Sequence, residues 1–425
     1  MDLTRAAAEA LDAADPLAAF RARFAGAGED GLLYLDGNSL GRMPVETPAA
    51  LARVVEEEWA RGLVRSWSSW VGAATRVGNL PAEGVLGARP GEVLVGDSTT
   101  VDLYKLLVAA ADARPGRDVL VCSADDFPTD RYVVAGVAQA RGMTVREVPA
   151  DVDEGLDPAV LAAALDERVA VVVLSAVAYR SGALADVAAV TRTAREAGAL
   201  VVWDLSHAAG AVPVDLAANG VDLAVGCTYK YLNGGPGAPA FLYVRRELQE
   251  QLRQPIWGWF GQRDQFAMGP AYDPVPGVER FAVGTPPVLA LAAVEVGARL
   301  VAEAGVDRLA AKGRARRRSS TCGRTCRPRC ASRSGAGSGS GTSSGWARRT
   351  TRWTASGGSA WGRRPCCRWP RSAPRWTWPR RRACRGSGRS RFGRASWSWS
   401  SPSGGWCRWG PGSRRRARPR AAAAT

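Results

Sequence analysis

The first 312 residues hold only two cysteines, Cys122 and Cys227, both inside apolar runs. That usage fits a reducing cytosol and buried, inert thiols rather than a disulfide scaffold. No apolar run is long enough to cross a bilayer, so no membrane partner is expected. The N-terminal MDLTRAAAEALDAADPLAAFRARF mixes acids and bases at helical spacing, the pattern of neither a signal nor a transit peptide. A cytoplasmic protein is expected. The strongest absence lies at the other end. Residues 313–425 contain no Lys, Asp, Glu, Leu, Ile, Val, Met or Tyr, and a single Phe, Phe392. Without aliphatic side chains there is no core to offset the entropy of ordering a chain.

What is present divides the same way. Residues 313–425 carry 29 Arg, ten Trp and seven Cys among Ser, Gly and Pro, with cysteine spacings too irregular for a zinc site. The net charge of +17 is therefore an average of two unlike parts: residues 1–312 hold 28 basic and 40 acidic residues, a net of −12. One account of the tail is a natural nucleic-acid-binding extension. The other is a shifted reading frame in a GC-rich gene, where a Leu codon CTG followed by G or C reads one base on as Trp or Cys. The shift explains the missing Leu and the surplus Trp together, so it is preferred, and a nucleic-acid partner is not expected.

Over residues 92–230 short apolar runs alternate with helical patterns, and a last strand follows. Strands are predicted at Glu92–Gly96, Asp118–Ser123, Thr144–Pro149, Val169–Val177, Ala199–Trp203, Asp222–Cys227 and Ala240–Val244. Helices are predicted from Ser98 to Ala111, Pro158 to Leu165 and Asp186 to Ala197. That alternation argues for an α/β fold, a mostly parallel seven-stranded sheet with helices on both faces. Before it, residues 4–24 read as one amphipathic helix with Leu11, Leu17 and Phe20 inward. Tyr34–Gly41 reads as a strand end and a turn, Pro48–Arg61 as a helix, and Arg65–Trp70 as a polar loop with exposed aromatics. After it, Ile256–Phe266 is aromatic and irregular, of the kind that docks on a partner subunit, and Pro287–Glu303 begins a long helix.

The chemistry concentrates in Val201–Val244. Asp204 ends one predicted strand, and Thr228, Tyr229 and Lys230 follow the next, before a loop tightened by Gly234, Gly235 and Gly237. Open α/β sheets bind ligands beyond the carboxyl ends of their strands. An acid from one strand end and an amine from its neighbour suit pyridoxal 5'-phosphate (PLP), which needs a lysine for its aldehyde and a carboxylate beside its pyridine nitrogen. Taken singly, Asp204 is equally a helix N-cap and Lys230 a solvated charge. His207, the sole histidine, lies three residues past Asp204 and would orient the ring or the acid, or serve packing alone. Hydroxyls at the helix start Ser98-Thr-Thr make an anion site or a plain N-cap. Phe127, beside Pro128, reads as core or as a ring-stacking face.

Three stretches, YLDGNSLG at Tyr34–Gly41, WDLSHAAGAVPVDL from Trp203 and GCTYKYLNGGPGAPAF from Gly226, resemble the kynureninase family of the class V aminotransferase superfamily. The likeness runs from about Tyr34 to Lys312 and then stops. Cysteine desulfurases of that superfamily usually place His before the cofactor lysine; this chain has Tyr229 there. The resemblance implies the PLP-dependent transferase fold type I. It implies a segment 1–60 contributing to a small domain, a large cofactor domain over 61–290, and the start of the small domain over 291–312, left incomplete by the non-family tail 313–425. It implies that Lys230, Asp204 and Tyr229 are catalytic, Lys230 holding the cofactor and moving the substrate Cα proton. PLP contacts fall on Thr99, Thr100, Phe127, Ser175, Asp204, His207, Tyr229 and Lys230, with Trp259 and Thr285 reaching the cofactor of a neighbouring subunit in a homodimer with shared sites. Asn38, Ser39 and Trp67 fall near the substrate; Trp67 alone reads equally as a packing anchor. The implied reaction is hydrolysis of L-kynurenine or 3-hydroxykynurenine to anthranilate or 3-hydroxyanthranilate and L-alanine, a step of tryptophan catabolism and NAD biosynthesis. No arginine of the tail lies in a matching motif for the substrate carboxylate, so impaired catalysis is expected. The rival readings are another class V PLP enzyme, a desulfurase or aminotransferase, and a non-enzyme with a nucleic-acid-binding tail.

Overall fold

The structure, a computed structural model, describes residues 4–27 and 31–321. Both readings of the tail therefore lie outside the described residues beyond Thr321. Helix α1 spans Arg5–Ala13, where a single helix to residue 24 was expected. It stops before Asp15-Pro16, and a 3-10 turn, Ala18–Arg23, takes over. Proline cannot supply the N–H that an α-helical turn needs, and Asp15 Oδ1 instead accepts from Leu17 N at 2.9 Å. In consequence Leu11 is exposed, while Leu17 is buried. Residues 31–36 form no strand; the first ordered feature there is the turn Gly37–Ser39.

Helix α2, Thr47–Arg53, continues as wider π-type turns over Val54–Gly62. The stretch expected as a polar loop is helical: a 3-10 turn over Leu63–Ser66, then α3, Trp67–Trp70. Its side chains make the bonds that fix it, Ser66 Oγ to Glu58 O at 2.7 Å and Trp70 Nε1 to Glu58 Oε2 at 2.7 Å. Helix α4, Ala73–Pro81, leads through another wide turn, Ala82–Leu86, to Gly87, whose φ of +59° ends the run.

Seven strands follow, interleaved with helices: β1 Val93–Gly96, α5 Thr99–Asp112, β2 Val119–Ser123, α6 Pro128–Arg141, β3 Thr144–Val148, α7 Pro158–Ala163, β4 Val169–Ser175, α8 Val187–Glu196, β5 Leu200–Asp204, β6 Leu223–Cys227 and β7 Ala240–Val244. They form one sheet in the order β1-β7-β6-β5-β4-β2-β3. The pairs β2·β3, β2·β4, β4·β5 and β5·β6 are parallel; β7 runs against both neighbours. Successive residues of each strand point to opposite faces. Val119, Val121, Val201 and Trp203 join one apolar cluster, and Leu120, Cys122, Leu200 and Val202 the other. Burial on both faces is why the inner strands read as apolar runs, while the edge strand β3 carries Arg146 and Glu147. Helices α5 and α6 cover the second cluster; α4, α7 and α8 cover the first. Burial pushes the Cys122 thiol up to about 12, as expected of an inert cysteine.

Beyond the sheet come α9, Arg246–Gln249, three 3-10 turns between Trp259 and Phe281, α10, Val288–Ala304, and α11, Val306–Thr321. Helix α10 packs its Leu291, Val294 and Val301 onto the first cluster. Helix α11 carries the backbone past Gly313, where no secondary structure was expected.

Close approach of α4 to β1 depends on Gly78, where an added Cβ would collide with the Val93 carbonyl. Gly78→Ala should therefore lower the unfolding free energy by about 1–3 kcal/mol, the usual cost of overpacking, read by denaturant titration.

Candidate active site

The carboxyl ends of β1, β2, β4, β5 and β6 open at one edge of the sheet, and β7 starts there. Ser175 at the end of β4 is paired in register with Asp204 at the end of β5. Leu205 N, one residue on, donates to Val225 O of β6 at 2.7 Å, and Ala240 N donates to Asp97 O at 3.2 Å. Asp204, Ser175, the 124–130 loop, the 97–100 turn and the 228–239 loop thus share an edge because the register leaves them nowhere else to emerge.

The loop after β6 is stapled at both ends. Thr228 Oγ1 donates to Pro239 O at 2.6 Å, Gly234 N to Thr228 O at 2.9 Å and Asn233 N to Lys230 O at 3.0 Å. Asn233 sits at φ +55°, a conformation that asparagine adopts more readily than most residues. Gly41 N donates to Tyr229 O at 2.8 Å, and a Cβ at Gly41 would strike Lys230 O, so the 37–41 turn lies directly on the lysine's backbone. Lys230 itself is buried, with Nζ 2.8 Å from His207 Nε2 and 5.8 Å from the centroid of Phe127. Burial, followed by the nearby Lys230 charge, holds the His207 imidazole below its ordinary pKa. A neutral imidazole with its proton on Nδ1 can accept from the amine at Nε2.

Asp204 is fixed by Ser206, whose N–H and Oγ both donate to Oδ1, at 2.9 and 2.6 Å. Two more carboxyl groups crowd it. Asp126 Oδ2 accepts from Ser123 N at 2.8 Å and its Oδ1 from Ser175 N at 3.1 Å; burial still pushes its pKa up to about 6. Asp130, in the first turn of α6, is pushed up to about 9, by burial first and then by the Asp204 and Asp126 charges. Its Oδ2 is buried and meets no protein N–H or O–H. The raised pKa favours the protonated form of Asp130, the form that can donate to the neighbouring Asp204. Two carboxyl groups that share one charge are suited to a cationic ring nitrogen.

Other residues predicted from the sequence lie at the same edge of the sheet. Phe127 is 38% exposed, its ring edge-on to Tyr179 with centroids 5.3 Å apart. Tyr229 is half-buried; burial, then Cys227, raises its phenol to about 12, so it stays protonated. Thr99 and Thr100 open α5, while Ser98 Oγ accepts from Val101 N at 3.4 Å. The first-turn amides of Thr99 and Thr100 have no acceptor within the helix. Asn38 and Ser39 are exposed on the turn beside Lys230, with Ser39 Oγ bonded to Asp36 Oδ1 at 2.8 Å.

Trp67, Trp259 and Thr285 stand apart. The Trp67 and Trp259 rings lie 5.8 Å apart in a cluster with Trp70, Phe260 and Phe266. Thr285 is exposed on a cavity of about 460 Å³ walled by Asp97, Phe260 and Phe266, whereas Lys230 lines a different groove with Gly41 and Tyr231. Within one chain the sequence-predicted set is thus divided in two.

Reasoning from sequence passed over Asp126 and Asp130 as site residues. The signal was the run Asp125-Asp-Phe-Pro-Thr-Asp130 at a strand's carboxyl end, three acids where ligands gather. Arg180, beside the ring of Tyr179, pairs with the buried Asp125. Together an amine, a buried carboxylate beside Asp130, an exposed aromatic face and the amides of a helix start fit a flat, phosphorylated pyridine aldehyde.

Comparison with known proteins agrees. The family model for aminotransferase class-V matches residues 82–321. The kynureninase of Pseudomonas fluorescens is 46% identical over 311 residues, which cover 71% of this chain and 72% of that protein. The kynureninase of Burkholderia pseudomallei is 44% identical over 308 residues, with the same shares. Among solved structures, the apo cysteine desulfurase of Thermococcus onnurineus superposes with a TM-score of 0.63 at 19% identity, covering 72% of this chain and 75% of that one. A C-DES mutant with glycine covalently linked to its PLP cofactor gives 0.60 at 19% identity, covering 67% and 74%. At that identity these two speak for the fold.

The proton on Asp130 has a measurable consequence. A carboxyl whose folded pKa is raised contributes stability that is complete below its unfolded pKa, near 4, and is lost as pH rises through the folded value. Asp130→Asn keeps a donor toward Asp204 but cannot ionise. Its unfolding midpoint relative to the parent apoprotein should rise between pH 5 and pH 9, a window set by the value of about 9; thermal scans across that range test it.

Proposed function

We propose, since the chain belongs to the class-V aminotransferase family and within it to the kynureninases, that its Lys230 site binds PLP and hydrolyses L-kynurenine or its 3-hydroxy derivative to the aminobenzoate and L-alanine. The observation that carries the reading is the convergence of Lys230, His207, Asp204 and Asp130 at one edge of the sheet.

The cofactor supplies an electron sink for the carbanion formed next to the substrate nitrogen. Everything else falls to the chain. Lys230 Nζ would hold the cofactor's aldehyde, and its free amine would move the proton at the substrate Cα. Asp204 holds a proton at the pyridine nitrogen, and Ser206 and Asp130 keep its carboxylate oriented. His207 accepts from Nζ and so keeps the amine aimed into the site. Phe127 offers its exposed face to the ring. The amides and hydroxyls of Thr99 and Thr100, with the protonated Tyr229, meet the phosphate. Water adds to the substrate γ-carbonyl, and the bond between Cβ and Cγ breaks. Asn38 and Ser39, on the turn beside Lys230, lie at the mouth where substrate enters.

Trp259 and Thr285 complete this set from a second subunit. Their separation from Lys230 within one chain, and their place on an aromatic wall, support a homodimer in which each site draws on both copies.

Two experiments test the proposal. Purified protein should show the visible band of lysine-bound cofactor and release anthranilate from kynurenine; Lys230→Ala should lose both. A band without anthranilate would leave the cofactor reading intact and overturn the hydrolase reading for this chain. For the shared site, the Lys230→Ala and Trp259→Ala variants should each be inactive or nearly so, and mixing them should regenerate activity through hybrid dimers that retain one intact site. No regain on mixing would place both residues in a site built from one chain.

A further inference from the structure

The chain has three lysines, and one of them, Lys105, has no part in the chemistry above. It lies on α5 with no exposed surface, yet its Nζ sits 2.8 Å from Asp97 Oδ2, 2.8 Å from Asp102 Oδ1 and donates to Phe281 O at 3.0 Å. Asp102 is as deeply buried as the lysine. A buried ion cluster of this kind seldom adds net stability, because desolvation of the charges consumes the Coulomb gain; its attested use is to fix one arrangement among several.

The arrangement fixed here spans two separate segments. Asp97 forms the turn between β1 and α5 in a left-handed conformation, φ +49°, which Asp and Asn adopt more readily than other residues with a Cβ. That turn aims the first amides of α5. Phe281 ends a 3-10 turn four residues before Thr285. The next stretch of that segment is itself packed down: Phe260 N reaches Val283 O at 3.4 Å, and Gly258, beside Trp259, has no room for a Cβ against the Val283 carbonyl. Asp97 and Thr285 wall the same cavity. One ammonium therefore joins the turn that sets the start of α5 to the segment that carries Thr285.

We infer that Lys105 is a positioning residue for the cofactor's phosphate: it clamps the Asp97 turn, and with it the first-turn amides of α5, against the 278–285 segment. The inference rests on the proposed binding of PLP with its phosphate at Thr99 and Thr100. It also accounts for the charge of the place. Asp97 and Asp102 stand beside a helix start that would receive a dianion, and the lysine offsets them where they would otherwise repel it.

The test separates phosphate binding from folding. The full-length apoprotein is titrated with PLP and with pyridoxal, which lacks the phosphate but still reaches Lys230. Two variants are compared with the parent. Asp97→Gly deletes the tether at its partly exposed end and suits the positive φ, so it folds. Lys105→Met with Asp102→Asn removes the buried charges together. Each should lose about ten-fold or more in PLP affinity, the worth of one or two charge-assisted hydrogen bonds, while pyridoxal affinity stays within about two-fold. Equal losses for both ligands would make Lys105 merely structural, and unchanged PLP affinity would overturn the inference outright. If the double variant does not fold, Asp97→Gly decides alone. A parent that fails to prefer PLP over pyridoxal would overturn the phosphate reading itself, and the inference with it.

Discussion

A carboxylate taken out of water is costly unless bonded and matched by positive charge, and Asp204 is buried at the end of a strand with two further carboxyl groups around it. The surroundings accommodate that single charge. Ser206 supplies two donors, Asp126 spends both its oxygens on backbone amides, and burial raises the pKa of Asp130. What results is an Asp204 carboxyl held in one orientation, within electrostatic reach of His207, which is itself bonded to Lys230. Replace any of these partners and the cluster must either take up protons or admit water, and in both cases it stops being a receptor for a protonated pyridine.

The sheet makes that cluster possible. Parallel pairing from β2 through β6 aligns the carboxyl ends, and burial on both faces leaves the strands no freedom of register, because a one-residue slip would exchange the two apolar clusters. The reversed β7 has a separate effect. Running against β1 and β6, it returns the chain to the same edge, so the loop that carries Lys230 both begins and ends beside the site.

Much of this was legible in the sequence. Apart from β3, which carries Arg146 and Glu147, the strands were readable because each is a short run that stays apolar to its end, and Ala240–Val244 matches to the residue. Asp204 and Lys230 were readable because each interrupts such a run at its end. The single helix expected to residue 24 failed because helical spacing survives across Asp15-Pro16 while the backbone bonding does not. Arg65–Trp70 was misjudged because its turns are fixed by Glu58, a partner that pattern cannot reveal. Asp126 and Asp130 were missed for a related reason: an acid in a loop looks solvated until the fold shows what it faces.

The stapled loop of Thr228–Pro239 has a bearing on turnover. A lysine that must release one partner and take up another is commonly pictured on a pliant segment. Here the ends are tied, the carbonyl of Lys230 is engaged by Asn233, and Gly41 presses on its backbone. The main chain is in effect a fixed pivot, and only the four methylenes of the side chain are left to swing. The loop is closed by its own bonds, so exchange at the amine demands rotamer changes and no reordering of the polypeptide.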